Sequence, residues 1–503
     1  MHNGTPMAST TPQSHLPPGH ASELLADGSL PGRWTRRWRE RPAAQQLRGP
    51  DGRWISTDEL EERTRHAAER LRATGLTRGE RFILSAEPSA ELVIAYIAAL
   101  RAGLVVVPLN TAYTETEVQR IVRDAAPAAA AVDDDERGRW IADACAGCEN
   151  VGVYGIDLSL QLPNTTTAPS IDETTAEDPA LLVYTSGTTG RPKGALLTHA
   201  NLMASATAVN LAWRWEPEDC LLLTLPLFHV HGLGVGLNGS LCAGAAVSLR
   251  PRFDPGDVAE QCQQGTSMFF GVPAMYQRLA AADRLDAFTS LRLLVSGSAP
   301  LPAALATEIA KATGQIPLER YGMTETLMLT SNPYAGERRP GTVGFPLPGV
   351  ELRLAPTTGE VEVRGPNVIA GYYLNPEANA AAFTDDGWFR TGDLGEVSDD
   401  GYLRLVGRSK ELIITGGFNV YPREVEEVLQ THPSVAEVAV VGRPSEQWGE
   451  EVTAVVVKRG ELETEDLRTL AASHLAPYKV PKRVEFIDQL PRNALGKVIR
   501  SRL

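Results

Sequence analysis

The chain has 503 residues, 48 of them Lys or Arg and 62 Asp or Glu, for a net charge of −14. With 43% hydrophobic and 22% charged residues it has the balance of a globular protein, which excludes collagen-like, disordered and disulfide-scaffold classes. An acidic surface argues against nucleic acid and anionic membranes as partners. Five scattered cysteines make no disulfide framework and fit a reducing, cytoplasmic setting.

Residues 1–30 are rich in Pro, Ser, Gly and His and predict a flexible extension without a signal pattern. A helix is expected over 59–74, capped by Thr57, and another over 91–101, followed by a short buried strand at 105–108. The apolar run at 92–109 is broken by Arg101 and is too short to span a membrane. Cys145 and Cys148 form a lone CxxC, which lacks the further ligands a zinc site needs. Residues 158–178 read as a surface connection.

Four short apolar runs follow, at 180–185, 221–229, 268–273 and 293–298. Continuous apolar strands imply a sheet buried on both faces, and intervening helical segments imply parallel pairing. Ligands of such sheets lie beyond the carboxyl ends of the strands. From 340 to 408 alternating patterns and the Asp400-Gly401 turn predict a β-rich piece. Beyond it come a helix opened by Pro422 and running to Leu429, strands at 435–441 and 452–457, a helix at 465–475 and a strand at 484–487. The expected class is α/β: a flexible extension over 1–30, a large domain over 31–408 with mixed and parallel sheets flanked by helices, and a small mobile α+β domain over 409–503.

The strongest chemical signal is Tyr184-Thr-Ser-Gly-Thr-Thr-Gly-Arg-Pro-Lys-Gly194. Its glycines let the backbone approach an anion, Ser186, Thr188 and Thr189 offer hydroxyls, and Lys193 brings a positive charge. The Gly187-x-x-Gly190-x-x-Lys193 spacing is not that of a Walker A loop.

This segment resembles the signature loop of the adenylate-forming superfamily of acyl-CoA synthetases, luciferases and peptide-synthetase adenylation domains. Glu319-Arg-Tyr-Gly-Met-Thr-Glu-Thr326 is similar to the second core motif, Trp388-Phe-Arg-Thr-Gly-Asp-Leu394 to the third and Gly407-Arg-Ser-Lys-Glu-Leu412 to the hinge. Pro491-Arg-Asn-Ala-Leu-Gly-Lys497 resembles the C-terminal catalytic-lysine motif. The motifs stand in family order over about residues 30–503.

The resemblance implies ATP, Mg²⁺ and coenzyme A as cofactors and a small carboxylic acid as substrate. It implies a catalytic set of Lys497, Glu325, Thr188 and His229, with Glu325 as the metal ligand. Nucleotide contacts are expected from Thr185, Ser186, Gly187, Thr188, Thr189, Gly190, Lys193, Ser298, Glu319, Arg320, Tyr321, Gly322, Met323, Thr324, Asp393 and Arg408. Lys410 matches the hinge, and Gly416, Gly417 and Phe418 the thiol side. One departure is Ile414-Thr415, where many members carry a lysine.

The acyl pocket is expected from His229, Val230, Ser296, Gly297, Met323 and Met328. Within the superfamily, Leu225-Pro-Leu-Phe-His-Val-His-Gly232, Val295-Ser-Gly-Ser-Ala-Pro300 and the 320–344 stretch are most similar to malonyl-CoA and methylmalonyl-CoA synthetases. A dicarboxylate needs a second cationic anchor, best supplied by an arginine fork. Arg278 is the expected anchor, while Arg292 opens a strand whose far end forms the site and fits less well. Two alternatives stay open: a monocarboxylic fatty or aromatic acid, or loading of a carrier-protein pantetheine thiol.

Overall fold

The computed structural model describes residue 15 and residues 28–145, 151–158, 169–185, 192–492 and 498–503. They pack as two units. The larger runs to Glu351 and resumes over Val363–Phe389; the other comprises Leu352–Glu362 and Arg390–Leu503.

The larger unit is built on two sheets. In one, Gly152–Gly155, Ala129–Val132, Arg81–Ser85, Val105–Pro108 and Pro179–Thr185 are parallel neighbours, closed by the antiparallel edge strand Lys193–Thr198. In the other, the parallel strands include Ala246–Leu249, Cys220–Leu223, Met268–Gly271, Leu293–Ser296 and Leu318–Met323, in that spatial order. Cys220–Leu223, Met268–Gly271 and Leu293–Ser296 are almost wholly apolar and buried along their length, as strands covered on both faces are. Phe269, Tyr276 and Phe288 pack together beneath the second sheet, with Tyr276 Oη donating to the Val295 carbonyl at 2.9 Å.

The expected helices form with small shifts at their starts. Thr57–Ala73 is capped by Ser56 and not by Thr57, and Ala90–Arg101 by Ser89. In both the serine hydroxyl accepts an N–H of the first turn. Thr198 caps His199–Ala212, its hydroxyl accepting the Asn201 N–H. The phosphate-loop segment, however, returns as an antiparallel strand before that helix, with Thr185 opposite Lys193.

In the other unit, Glu351–Leu354, Glu360–Arg364, Phe389–Val397 and Leu403–Arg408 are neighbours in one sheet, and Asp400-Gly401 lies in the hairpin connection. A second sheet orders Phe418–Val420, Ile413–Thr415, Gly449–Lys458 and Val435–Ser445, with Arg483–Phe486 beside Gly449–Lys458. The helix Pro422–Leu429 has the expected bounds and buries Val425 and Leu429 against this sheet. Among the described residues, no helix is long and apolar enough to cross a membrane.

Candidate active site

The strand ends Cys220–Leu223, Met268–Gly271, Leu293–Ser296 and Leu318–Met323 deliver the segments that the sequence singled out. After Leu223 the chain turns through His229 into a π-helix, His231–Leu237. A Cβ on Gly232 would overlap the Pro226 carbonyl, so this wide turn requires glycine there. His229 is half-buried, and its Nδ1 accepts the His231 backbone N–H at 3.2 Å. Val230 is buried.

His231 is buried, with Nδ1 3.2 Å from Ser298 Oγ and Nε2 without a protein partner. Ser298 holds φ +66°, a left-handed conformation that costs a non-glycine residue about 1 kcal/mol. That conformation turns the chain sharply after Leu293–Ser296. Gly297 lies directly against the Arg320 guanidinium, where a Cβ would overlap it.

Arg320 was expected among the nucleotide contacts. It is buried, and Nε and Nη2 have no partner among the described residues. Burial pushes the guanidinium down to about 9, and burial first, then Arg320 and His229, hold His231 well below its ordinary value. Arg320 on its strand and His231 on the π-helix thus keep buried nitrogens without a partner among the described residues, and a buried cation without a partner interacts strongly with an anion.

Arg278 is not brought there. It is exposed on the helix Pro273–Ala281, with its guanidinium 4.8 Å from the centre of the Phe253 ring. Arg292 pairs with Asp219 at the opposite end of its strand. Ser296 and Met328 are buried; Met328 accepts its place through a backbone N–H donated to Ser205 Oγ at 3.3 Å.

Glu325 sits at the turn between Leu318–Met323 and Leu327–Ser331. Gly322 must be glycine, since a Cβ would overlap the Leu327 carbonyl oxygen. Leu327 itself holds φ +53°. Met323 and Thr324 are half-buried at the same turn, and Tyr321 is buried just before it. The Glu325 carboxylate is buried, and Tyr372 Oη donates to its Oε1 at 3.0 Å. Lys193 Nζ lies 5.1 Å from the centre of the Tyr372 ring, and Thr185 Oγ1 donates to the Lys193 carbonyl at 3.4 Å. Tyr372 has no motif signal of its own and was not anticipated. Glu319 has a different task from the expected nucleotide contact: its carboxylate accepts backbone N–H groups of Leu301 (3.2 Å) and Gly341 (2.9 Å), bracing two loops. Ser186, Gly187, Thr188, Thr189 and Gly190 lie outside the described residues.

In the other unit, Asp393 and Arg408 are opposite one another across a hairpin and ion-paired at 2.8 Å. Gly392, at φ +73°, donates its N–H to Glu360 Oε1, and the Thr391 hydroxyl accepts the Asp393 N–H. Lys410 is exposed in the short 3₁₀ turn Ser409–Glu411. Gly416 and Gly417, both at positive φ, form the two-residue turn joining Ile413–Thr415 to Phe418–Val420. Phe418 stacks on Tyr478 at 4.6 Å while staying 55% exposed. Lys497 lies outside the described residues, as does Cys148.

The model of the AMP-binding enzyme family matches residues 32–373, and that of the AMP-binding enzyme C-terminal domain matches residues 424–497. The chain belongs to the AMP-binding enzyme family. It is 37% identical over 476 residues to a malonate–CoA ligase of Arabidopsis thaliana, covering 85% of this chain and 78% of that protein. To a feruloyl-CoA synthase of a Streptomyces species it is 36% identical over 488 residues, covering 93% and 97%. Among solved structures, ATP-bound MatB from Rhodopseudomonas palustris superposes with a TM-score of 0.88 at 40% identity, over 94% of this chain and 97% of that one. This AMP-binding enzyme is an acyl-CoA synthetase that uses ATP and coenzyme A.

The residues present fit a magnesium–nucleotide complex. Mg²⁺ favours one or two carboxylates together with phosphate and water oxygens, and Glu325 offers a carboxylate that Tyr372 holds in place. Lys193 offers a compact cation at the start of the returning strand.

Buried histidines make the stability of this AMP-binding enzyme pH-dependent. Burial lowers His199 to about 4 and His231 well below 6.5. Above 6.5 both rings are neutral in the folded and unfolded chains. Below it the unfolded chain takes up protons that the fold refuses, so stability falls as pH drops from 6.5 toward 4. Each histidine contributes about 1.4 kcal/mol per pH unit in that window. Urea unfolding at pH 7.5, 6 and 5 measures this, and a His199→Gln variant should show a shallower decline.

Proposed function

We propose that this acyl-CoA synthetase activates a short dicarboxylic acid, malonate or methylmalonate. The observation that carries the reading is Arg320, a buried guanidinium within Leu318–Met323 with two nitrogens that have no partner among the described residues. A buried charge of this kind is costly unless a ligand neutralises it. The carboxylate that is not activated is that ligand. Its oxygens accept from the Arg320 fork, and in the tautomer with Ser298 donating to His231 Nδ1 the ring carries its proton on Nε2, a further donor. Similarity to malonate–CoA ligase and MatB supports the same choice.

The other carboxylate attacks the α-phosphate of ATP, the bond to the β-phosphate breaks and pyrophosphate leaves. Coenzyme A thiolate then attacks the acyl carbon and AMP departs. Reactant anions must be neutralised and aligned for the first step. Lys193 and Thr185 would serve the phosphates, Glu325 would hold Mg²⁺, Asp393 would accept from ribose hydroxyls, and the motif assigns Lys497, outside the described residues, to the acyl carboxylate.

Pyrophosphate release measured with malonate, methylmalonate, acetate, octanoate and benzoate tests the assignment. Malonate or methylmalonate should give the highest kcat/KM, by at least tenfold. A clear lead for octanoate or benzoate would replace this reading with the monocarboxylic one.

A further inference from the structure

A segment remote in sequence from every motif ties the phosphate hairpin to the Glu325 turn. Residues 366–373 run as a strap between them. Asn201 Nδ2 donates to the carbonyls of Pro366 (2.8 Å) and Val368 (3.0 Å), fixing the start of the strap. Asn367 Nδ2 donates to those of Thr326 (2.6 Å) and Met328 (3.1 Å), and the Ile369 N–H to the Glu325 carbonyl at 2.9 Å. At the other end Tyr372 bridges to Ala195, and the Tyr373 N–H donates to the Gly194 carbonyl at 2.8 Å. Asn379 closes the arrangement by accepting the Tyr372 N–H at 2.6 Å and donating to its carbonyl at 3.2 Å.

The backbone of Tyr372 is therefore fixed on the Lys193–Thr198 strand, and its side chain reaches two candidate groups at once. The hydroxyl binds one oxygen of Glu325, and the ring face carries the Lys193 ammonium. A carboxylate that holds a cation needs a set orientation, and a hydrogen bond to one of its oxygens helps to set it. An ammonium over an aromatic face is held without losing its charge or its donors.

We propose that Tyr372 is a positioning residue for metal-bound nucleotide: its hydroxyl orients Glu325 toward the cation, and its ring holds Lys193 toward the phosphates. The inference rests on the roles given to Glu325 and Lys193 above, and its two halves separate by substitution. Tyr372→Phe removes the hydroxyl and keeps the ring. Tyr372→Leu removes both.

The test is direct binding, without turnover. Mn²⁺ affinity in the complex with a non-hydrolysable ATP analogue is read by electron paramagnetic resonance, and analogue affinity without metal by calorimetry. Tyr372→Phe should weaken Mn²⁺ about tenfold, the worth of one hydrogen bond to a charged group, with metal-free analogue affinity unchanged. Tyr372→Leu should in addition weaken the metal-free analogue about threefold, the worth of one cation–π contact. Glu325→Gln is the reference. If Glu325→Gln weakens Mn²⁺ and Tyr372→Phe does not, the positioning role is overturned while the Glu325 assignment stands. If Glu325→Gln leaves Mn²⁺ unchanged, the Glu325 assignment fails and the hydroxyl half of the proposal falls with it. If both Tyr372 variants weaken metal-free analogue equally, the ring half is overturned. Urea midpoints of the variants within the wild-type range separate these outcomes from loss of fold.

Discussion

Replacing Arg320 with Met lowers kcat/KM for malonate by about 10²- to 10³-fold and leaves the ligand-free chain at least as stable as before. The two halves of this result have one cause. The guanidinium is buried with Nε and Nη2 without a partner among the described residues, so the ligand-free fold carries the desolvation of a charge with little compensation. Methionine fills a similar volume and removes that burden. When dicarboxylate is bound the balance reverses. The substituted pocket then buries a carboxylate with no cation, a loss of about 2–5 kcal/mol for a hydrogen-bonded charge pair. Activity with a monocarboxylic acid of similar size, such as propionate, should fall far less or rise. Steady-state kinetics with both acids, together with urea unfolding, read all three effects. Equal loss for malonate and propionate would remove Arg320 as the second-carboxylate anchor.

Glu325→Gln should reduce pyrophosphate release by a comparable factor, about 10²- to 10³-fold, corresponding to a few kcal/mol of charge stabilisation at about 1.4 kcal/mol per decade. The substitution is nearly isosteric. The amide oxygen can still accept from Tyr372 Oη, and the backbone carbonyl still accepts from Ile369, so the turn is preserved. What disappears is the negative charge that a hard divalent cation prefers. High Mg²⁺ should recover part of the rate. Thioester formation from preformed acyl-AMP should be nearly unaffected, because pyrophosphate and its cation have already left. Equal losses in both half-reactions would assign Glu325 a structural task.

Much of this fold is legible in the sequence because its signals are local. Pro422 opens its helix and Leu429 ends it as the apolar spacing indicates. The short apolar runs ending at Thr185, Gly271 and Ser296 are strands, and their ends lead into the loops of the site. Helical phase would also have placed Arg278. Tyr276 and Leu279 are buried on the Pro273–Ala281 helix, and position 278 lies off their face.

Arg320 is a different case. Its motif suggests a nucleotide contact, yet its environment comes from Gly297 on the neighbouring strand end, a tertiary neighbour that no local pattern marks. The antiparallel return of Lys193–Thr198 is hidden for the same reason: apolar strands carry no sign of direction. Tyr372 lies 47 residues from Glu325, and only the folded chain brings its hydroxyl to that carboxylate.

The left-handed Leu327 has a consequence for how such a scaffold diversifies. It reverses the chain at once, so the acidic apex is caught between two legs locked into one sheet and has no slack. Changing the acid by sliding that apex would mean re-registering the sheet. On the proposed reading, changes at position 320 or 297 would alter the acid accepted while the turn that carries Glu325 keeps its register.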